Sequence, residues 1–342
     1  MVRMTPLRAI IGCVVLVAMG VASPVATEGQ STSVRAASAP PLIRFSVDDF
    51  WLDLHHFLYI LGRAQAGVAD ALGTSAPHEQ DSMLPTLTPD EQARWRDAVS
   101  LYAHNFSRLD LVSDRQLVAV TGRLAGIGGA ATLDGAGPAL APEVVAALEG
   151  VAPAYRRAWW PAHRRANEQW VAETKTLVDQ HGHSVLTFIT DAYQLPWPAA
   201  GYPVHVCAYT NWAGAYSTDG PLLVVSSVDA GGDHGPAALE TVFHEATHQW
   251  DNAIASRLAE LGQPIGKKVP DGLTHAMIWM TAGEAVRRAI PGYVPIAEAG
   301  GLWARGANPR YRPALEATWL PYLNGKGTRD EALLALMKVV GR

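Results

Sequence analysis

The chain has 342 residues, 49% of them hydrophobic and 17% charged, which is ample for a large core in one or two domains. Lys and Arg number 27 against 32 Asp and Glu, a net charge of −5, so nothing in the balance points to nucleic acid as a partner. Cys13 falls in the apolar start and Cys207 in a strand-like run, which leaves no intramolecular disulfide in a processed chain and makes Cys207 a small buried hydrophobe.

Residues 1–26 read as a secretory leader. Arg3 and Arg8 form its basic start, 9–21 its apolar run, and Gly20-Val21-Ala22 its small-residue cleavage site, with Ala26 as a second candidate. Cys13 lies inside the apolar run, which excludes a lipoprotein site, and no twin arginine is present. The expected location is secreted or periplasmic by general secretion, with no stable membrane insertion after cleavage; an uncleaved leader would instead anchor the chain. Cleavage removes two arginines and no acids, leaving 25 basic against 32 acidic residues. Residues 27–43 are small and polar and read as a flexible tether.

A helical region is expected over 44–195. Ser46-Val47-Asp48-Asp49 has the capping-box pattern, followed by Phe50, Leu54, Phe57, Leu58 and Leu61 at helical spacing. His55 and His56 on this helix are more simply core histidines than ligands. A loop over 74–87 leads to Thr88-Pro89-Asp90-Glu91, a stronger cap, and Ser113-Asp114-Arg115-Gln116 supplies a third. The glycine-rich stretch 126–137 lacks a strand–turn–helix context and reads as connector, not as a phosphate cradle. A long helix is predicted over 153–181, bent at Pro161, with Trp159, Trp160 and Trp170 in the core and Arg156, Arg157, Arg164 and Arg165 on a solvated face.

At 196 the character changes. Residues 204–209 alternate like a strand, 213–217 form a shorter one, Asp219-Gly220 a turn, and 222–228 a β-branched run, together a small antiparallel sheet. Pro236 after Gly235 opens a helix that Gly262 stops, predicted over 236–261. A second helix spans 273–289, ended by Pro291-Gly292, and a last one 329–340. The fold class is therefore α+β, mainly α: a catalytic region over 196–342 with a small antiparallel sheet, preceded by a helical layer.

The 236–261 helix carries Val242-Phe243-His244-Glu245-Ala246-Thr247-His248, a His-Glu-x-x-His motif, uncharged from Val242 to Trp250 except at Glu245. Residues four apart on a helix share a face, so His244 and His248 can supply two corners of a tetrahedral Zn2+ site. Glu245 beside them is placed to take a proton from activated water. Asp251, one turn beyond His248, can orient its imidazole or simply face solvent. The other reading of the motif is a buried helix with two hydrogen-bonded histidines.

A catalytic zinc needs a third protein ligand. The sixth residue after His248 is Ile254, so the metzincin histidine is missing. The candidates are His275 and Glu284 on the next helix, which nine residues place on opposite faces, so that only one of them binds the metal. Glu284, amid Met280, Thr281, Ala282 and Gly283, is favoured; alternatively its carboxylate pairs with Arg287 or Arg288. His275 or Tyr293 is then the candidate donor for oxyanion stabilisation.

With these residues the chain resembles the gluzincin clan of zinc metallopeptidases. Tyr209-Thr210-Asn211-Trp212-Ala213-Gly214-Ala215-Tyr216, Gly220 and Leu222-Leu223-Val224-Val225 follow the order seen before the motif helix in the CAAX prenyl protease and heat-shock membrane peptidase group. The resemblance implies a zincin-like catalytic domain acting on a peptide or protein substrate. His244, His248 and Glu284 would be its ligands and Glu245 its catalytic base, and the strand 222–227 the sheet edge that holds an extended peptide. The chain departs from that group at Arg288, where the group has Asp, and in lacking transmembrane helices. Two rival readings stand beside it. A di-iron bundle needs a second Glu-x-x-His, which the sequence lacks. An exported binding protein would use a non-catalytic zinc site or none.

Overall fold

Helix starts follow the local chemistry read from the sequence. The structure, a computed structural model, describes residues 41–342 apart from 69–75, 135–139, 219–221, 229–232 and 307. The leader, most of the tether and the Asp219-Gly220 turn lie outside the described residues. In helix α3 (Pro89–Asn105), Glu91 N–H donates to Thr88 Oγ1 while Thr88 N–H donates to Glu91, the expected capping box. Asp114 caps α4 (Arg115–Ile127) by accepting from the Gln116 and Leu117 amides. The box at Ser46 does not form, because Ser46 ends a strand, β1 (Ile43–Ser46), and α1 (Phe50–Gln65) begins after Asp49. Part of the predicted 74–87 loop is helix α2 (Ala76–Met83).

The predicted bent helix over 153–181 is two helices, α5 (Pro142–Ala158) and α6 (Trp160–Tyr193). Pro161 has no N–H to give, so it serves in the first turn of a new helix instead of kinking an old one. The sheet corrects a second expectation. Strands β2 (Tyr202–Cys207), β3 (Ala215–Ser217) and β4 (Leu223–Ser226) join β1 in the order β1-β2-β4-β3. β1–β2 and β2–β4 are parallel and only β3–β4 is antiparallel, so the sheet is mixed. β1 and β3, not β4, are therefore its edges. Gly201 lets β1 and β2 meet: a Cβ there would sit 2.0 Å from the Pro41 carbonyl oxygen.

Both sheet faces are covered, which is why β4 reads as an unbroken apolar run. Val204, Val206, Leu223 and Val225 join a core with α6, α7 (Pro236–Thr247), α8 (Asp251–Gly262), α9 (Leu273–Ala289), α10 (Ile296–Ala299), α11 (Asn308–Leu323) and α12 (Arg329–Val340). Cys207, Tyr209, Tyr216 and Val224 face the other core, with α1, α3, α4 and α5. The protein is thus mainly helical α+β, with a four-stranded mixed sheet between helical layers.

The two helical layers are tied through buried polar groups. α1 is buried all round; His55 Nδ1 meets Tyr102 Oη, and the two ring nitrogens of His56 meet the Leu52 carbonyl and Tyr216 Oη, each at 2.8 Å. These are core histidines, with burial lowering His56 to about 4. Asp53 accepts from Tyr155 Oη, Asn167 Nδ2 and the Ala208 amide. Burial opposes a charge on His163 there, but hydrogen bonds to Asp53 and Glu79 raise it to about 9. Among the described residues no helix is long and apolar enough to cross a membrane.

Candidate metal centre

α7 and α9 build the site by facing each other in opposite order, one turn at a time. The His248 and His275 rings lie 5.1 Å apart, the His244 ring lies 3.7 Å from Trp279, and Glu240 stands opposite Gly283. Positions 240, 244 and 248 thus meet 283, 279 and 275 in i,i+4 steps, the pattern of two antiparallel helices. Gly283 makes room for Pro295, whose Cβ would lie 2.8 Å from a Cβ there, and it faces Glu240 Oε1 at an ordinary 3.4 Å. The predicted single helix over 236–261 is interrupted. α7 ends at Thr247, a 3₁₀ turn holds His248–Trp250, and α8 (Asp251–Gly262) follows. Thr247 Oγ1 donates to the Phe243 carbonyl and Gln249 Nε2 to that of Ala246, so side chains claim helix acceptors where the ladder tightens.

Three imidazole nitrogens converge there. His244 Nε2 lies 3.2 Å from His275 Nε2 and 3.3 Å from His248 Nε2. Four ligands at zinc–nitrogen distances have tetrahedral edges of about 3.3 Å, so the spacing fits that ion. The tautomers fit as well. His248 Nδ1 meets Asp251 Oδ2 at 2.7 Å, which places a proton on Nδ1 and turns the Nε2 lone pair of the neutral ring inward. Hydrogen bonds alone satisfy the trio poorly, since a proton on His244 Nε2 can be directed to only one of two neighbours. His244 Nδ1 has no hydrogen-bond partner among the described residues; its ring is held against Trp279.

The surroundings favour neutral rings at His244 and His275. Burial, then His248 and His275, hold His244 well below the usual histidine range. His275 is the exposed member, yet the protein packed round its ring, with His248, lowers it to about 4. For His248, burial is outweighed by the Asp251 hydrogen bond and the Glu245 charge, which raise it. Glu245 projects beside the trio, with Oε1 4.0 Å from His244 Nε2 and Oε2 accepting from Ser217 Oγ at 2.9 Å. Burial raises its pKa, against the pull of His248 and Ser217.

No family model matches the chain, and no curated protein or solved structure does. Its site is read from its own geometry.

That geometry separates the predicted site residues. His244, His248, His275 and Glu245 come together. Glu284 does not: its carboxylate pairs with Arg287, and lies 3.8 Å from Arg288 Nε. Along an unbroken helix, nine residues separate it from His275 by about 13 Å, so the turn of α9 that brings one to α7 takes the other away. Tyr293 is also elsewhere, donating to Glu240 Oε2 at 2.7 Å, one helical turn before His244. The sequence reading missed Trp279 and Ser217. Trp279 was accessible as the i+4 neighbour of His275, whereas Ser217 reaches Glu245 across the sheet and leaves no local signal.

Proposed function

We propose that the chain is an exported zinc-dependent peptidase in which His244, His248 and His275 hold the metal and Glu245 is the general base. The observation that carries the reading is that His244 Nε2 lies at a tetrahedral edge length from both His275 Nε2 and His248 Nε2, with all three within 4.8 Å of one another and the Glu245 carboxylate beside them. Zinc, when bound, supplies a Lewis acid for the scissile carbonyl and for water. The remaining steps belong to side chains. Glu245, its pKa raised by burial, takes the proton of the attacking water through Oε1 and returns it to the leaving nitrogen. Asp251 fixes the tautomer and orientation of His248. In this reading the resemblance to gluzincins narrows to the His-Glu-x-x-His helix, with a histidine in place of their glutamate. Export rests on the leader pattern of residues 1–26.

The experiment is metal content after single substitutions. His244→Ala and His275→Ala should each lose most of the zinc, about one ion per chain in the parent. Glu284→Ala should keep it. Zinc retained in His275→Ala and lost in Glu284→Ala would restore the glutamate as ligand. Zinc that is bound, with no cleavage of any member of a broad peptide library, would favour the exported binding protein.

A further inference from the structure

Ser217 makes a hydrogen bond to the proposed base from outside the motif. It ends the edge strand β3, opposite Leu223 of β4, and the Thr218 amide bond to the Leu222 carbonyl holds that end in register. Alternation along β3 puts Ser217 on the same face as Ala215, which packs in the core shared with α7. Its buried hydroxyl donates to Glu245 Oε2 at 2.9 Å. The other carboxylate oxygen, Oε1, is the one 4.0 Å from His244 Nε2.

A glutamate's terminal torsion is broad and nearly two-fold, so an unrestrained carboxylate presents either oxygen in many orientations. The Ser217 hydroxyl, fixed in a sheet, removes that degeneracy, with the Ser217 amide as a weaker second influence on the same carboxylate. We propose that Ser217 is a positioning residue: its hydroxyl holds Oε2 and thereby aims Oε1 of Glu245 at the histidine trio. The inference rests on the reading of Glu245 as general base, but the orientation it asserts exists whether or not peptides are cleaved. A base aimed from a rigid strand starts each turnover in place; a free one must be recruited from other rotamers.

Thr and Val are nearly isosteric and both suit a strand, so Ser217→Thr and Ser217→Val differ mainly in the hydroxyl. These two and Ser217→Ala would be crystallised with zinc sulfate, and their metal content measured. The expected result is a carboxylate oriented as in the parent for Thr, and rotated or disordered for Val and Ala, with zinc content unchanged in all three. With a quenched-fluorescent peptide taken from a library digest of the parent, Val and Ala should lower kcat about tenfold at unchanged KM, and Thr should restore it. A Glu245 carboxylate that keeps its orientation in Val and Ala overturns the proposal, as does a Thr variant that fails like Val. If the parent cleaves no library peptide, the peptidase reading falls and the crystals alone decide the role of Ser217.

Discussion

Glu240, one turn before His244, is a fully buried carboxyl whose ionisation should be visible in the stability of the whole protein. Its Oε2 accepts from Tyr293 Oη at 2.7 Å and from the Ile296 amide at 3.1 Å, while Oε1 has no partner among the described residues. Burial is the largest influence and raises its pKa from an ordinary 4.5 to about 7, with Asp233 and Glu298 adding to it and the two hydrogen bonds opposing. A raised carboxyl favours folding in its protonated form. Its contribution is therefore complete below about pH 4.5, falls as the unfolded chain ionises first, and is gone above about pH 7. At about 1.4 kcal/mol per pH unit, that interval corresponds to about 3 kcal/mol. Glu240→Gln keeps the size and an acceptor for Tyr293 and cannot ionise. Urea unfolding of parent and variant at half-unit steps from pH 4.5 to 8 would measure the difference, in which other titrating groups largely cancel. The parent should lose about 3 kcal/mol relative to the variant across that range. A difference that stays flat would refute the assignment of a neutral buried carboxyl.

Glu245→Gln should retain zinc and melting temperature and lower peptide hydrolysis by about 100-fold or more, as expected for loss of a positioned base; a fully active variant would exclude the mechanism. Asp251→Ala should weaken zinc binding by about 10-fold, measured by competition with a chelator, because it frees the His248 ring. Gly62→Ala should destabilise the fold by about 2 kcal/mol in denaturant, since the new Cβ would lie 2.7 Å from the Ala103 backbone nitrogen where α1 crosses α3. Loss of zinc in His275→Ala, with retention in Glu284→Ala, separates the two candidate ligands on α9.

Local chemistry determined a good deal of this protein from sequence alone. Thr88 with Glu91 forms the capping box read there, and α9 and α12 have the bounds expected for them. The shared face of His244 and His248 follows from helical geometry, which is a property of four neighbouring residues. Tertiary structure decided what depends on distant partners. β1 pairs with β2 across the whole helical layer, so four residues that fell across the end of the tether and the start of the helical region became a strand of the mixed sheet. Glu284 was favoured over His275 for its apolar surroundings, since spacing says only that the two point apart; the histidine is the one that joins His244 and His248. Trp279 packed on His244, and Gly283 facing Glu240, mark the face of α9 that lies on α7. Ser217 meets Glu245 only because the sheet edge lies over that helix. Periodicity assigns a residue to a face; packing alone selects what that face meets.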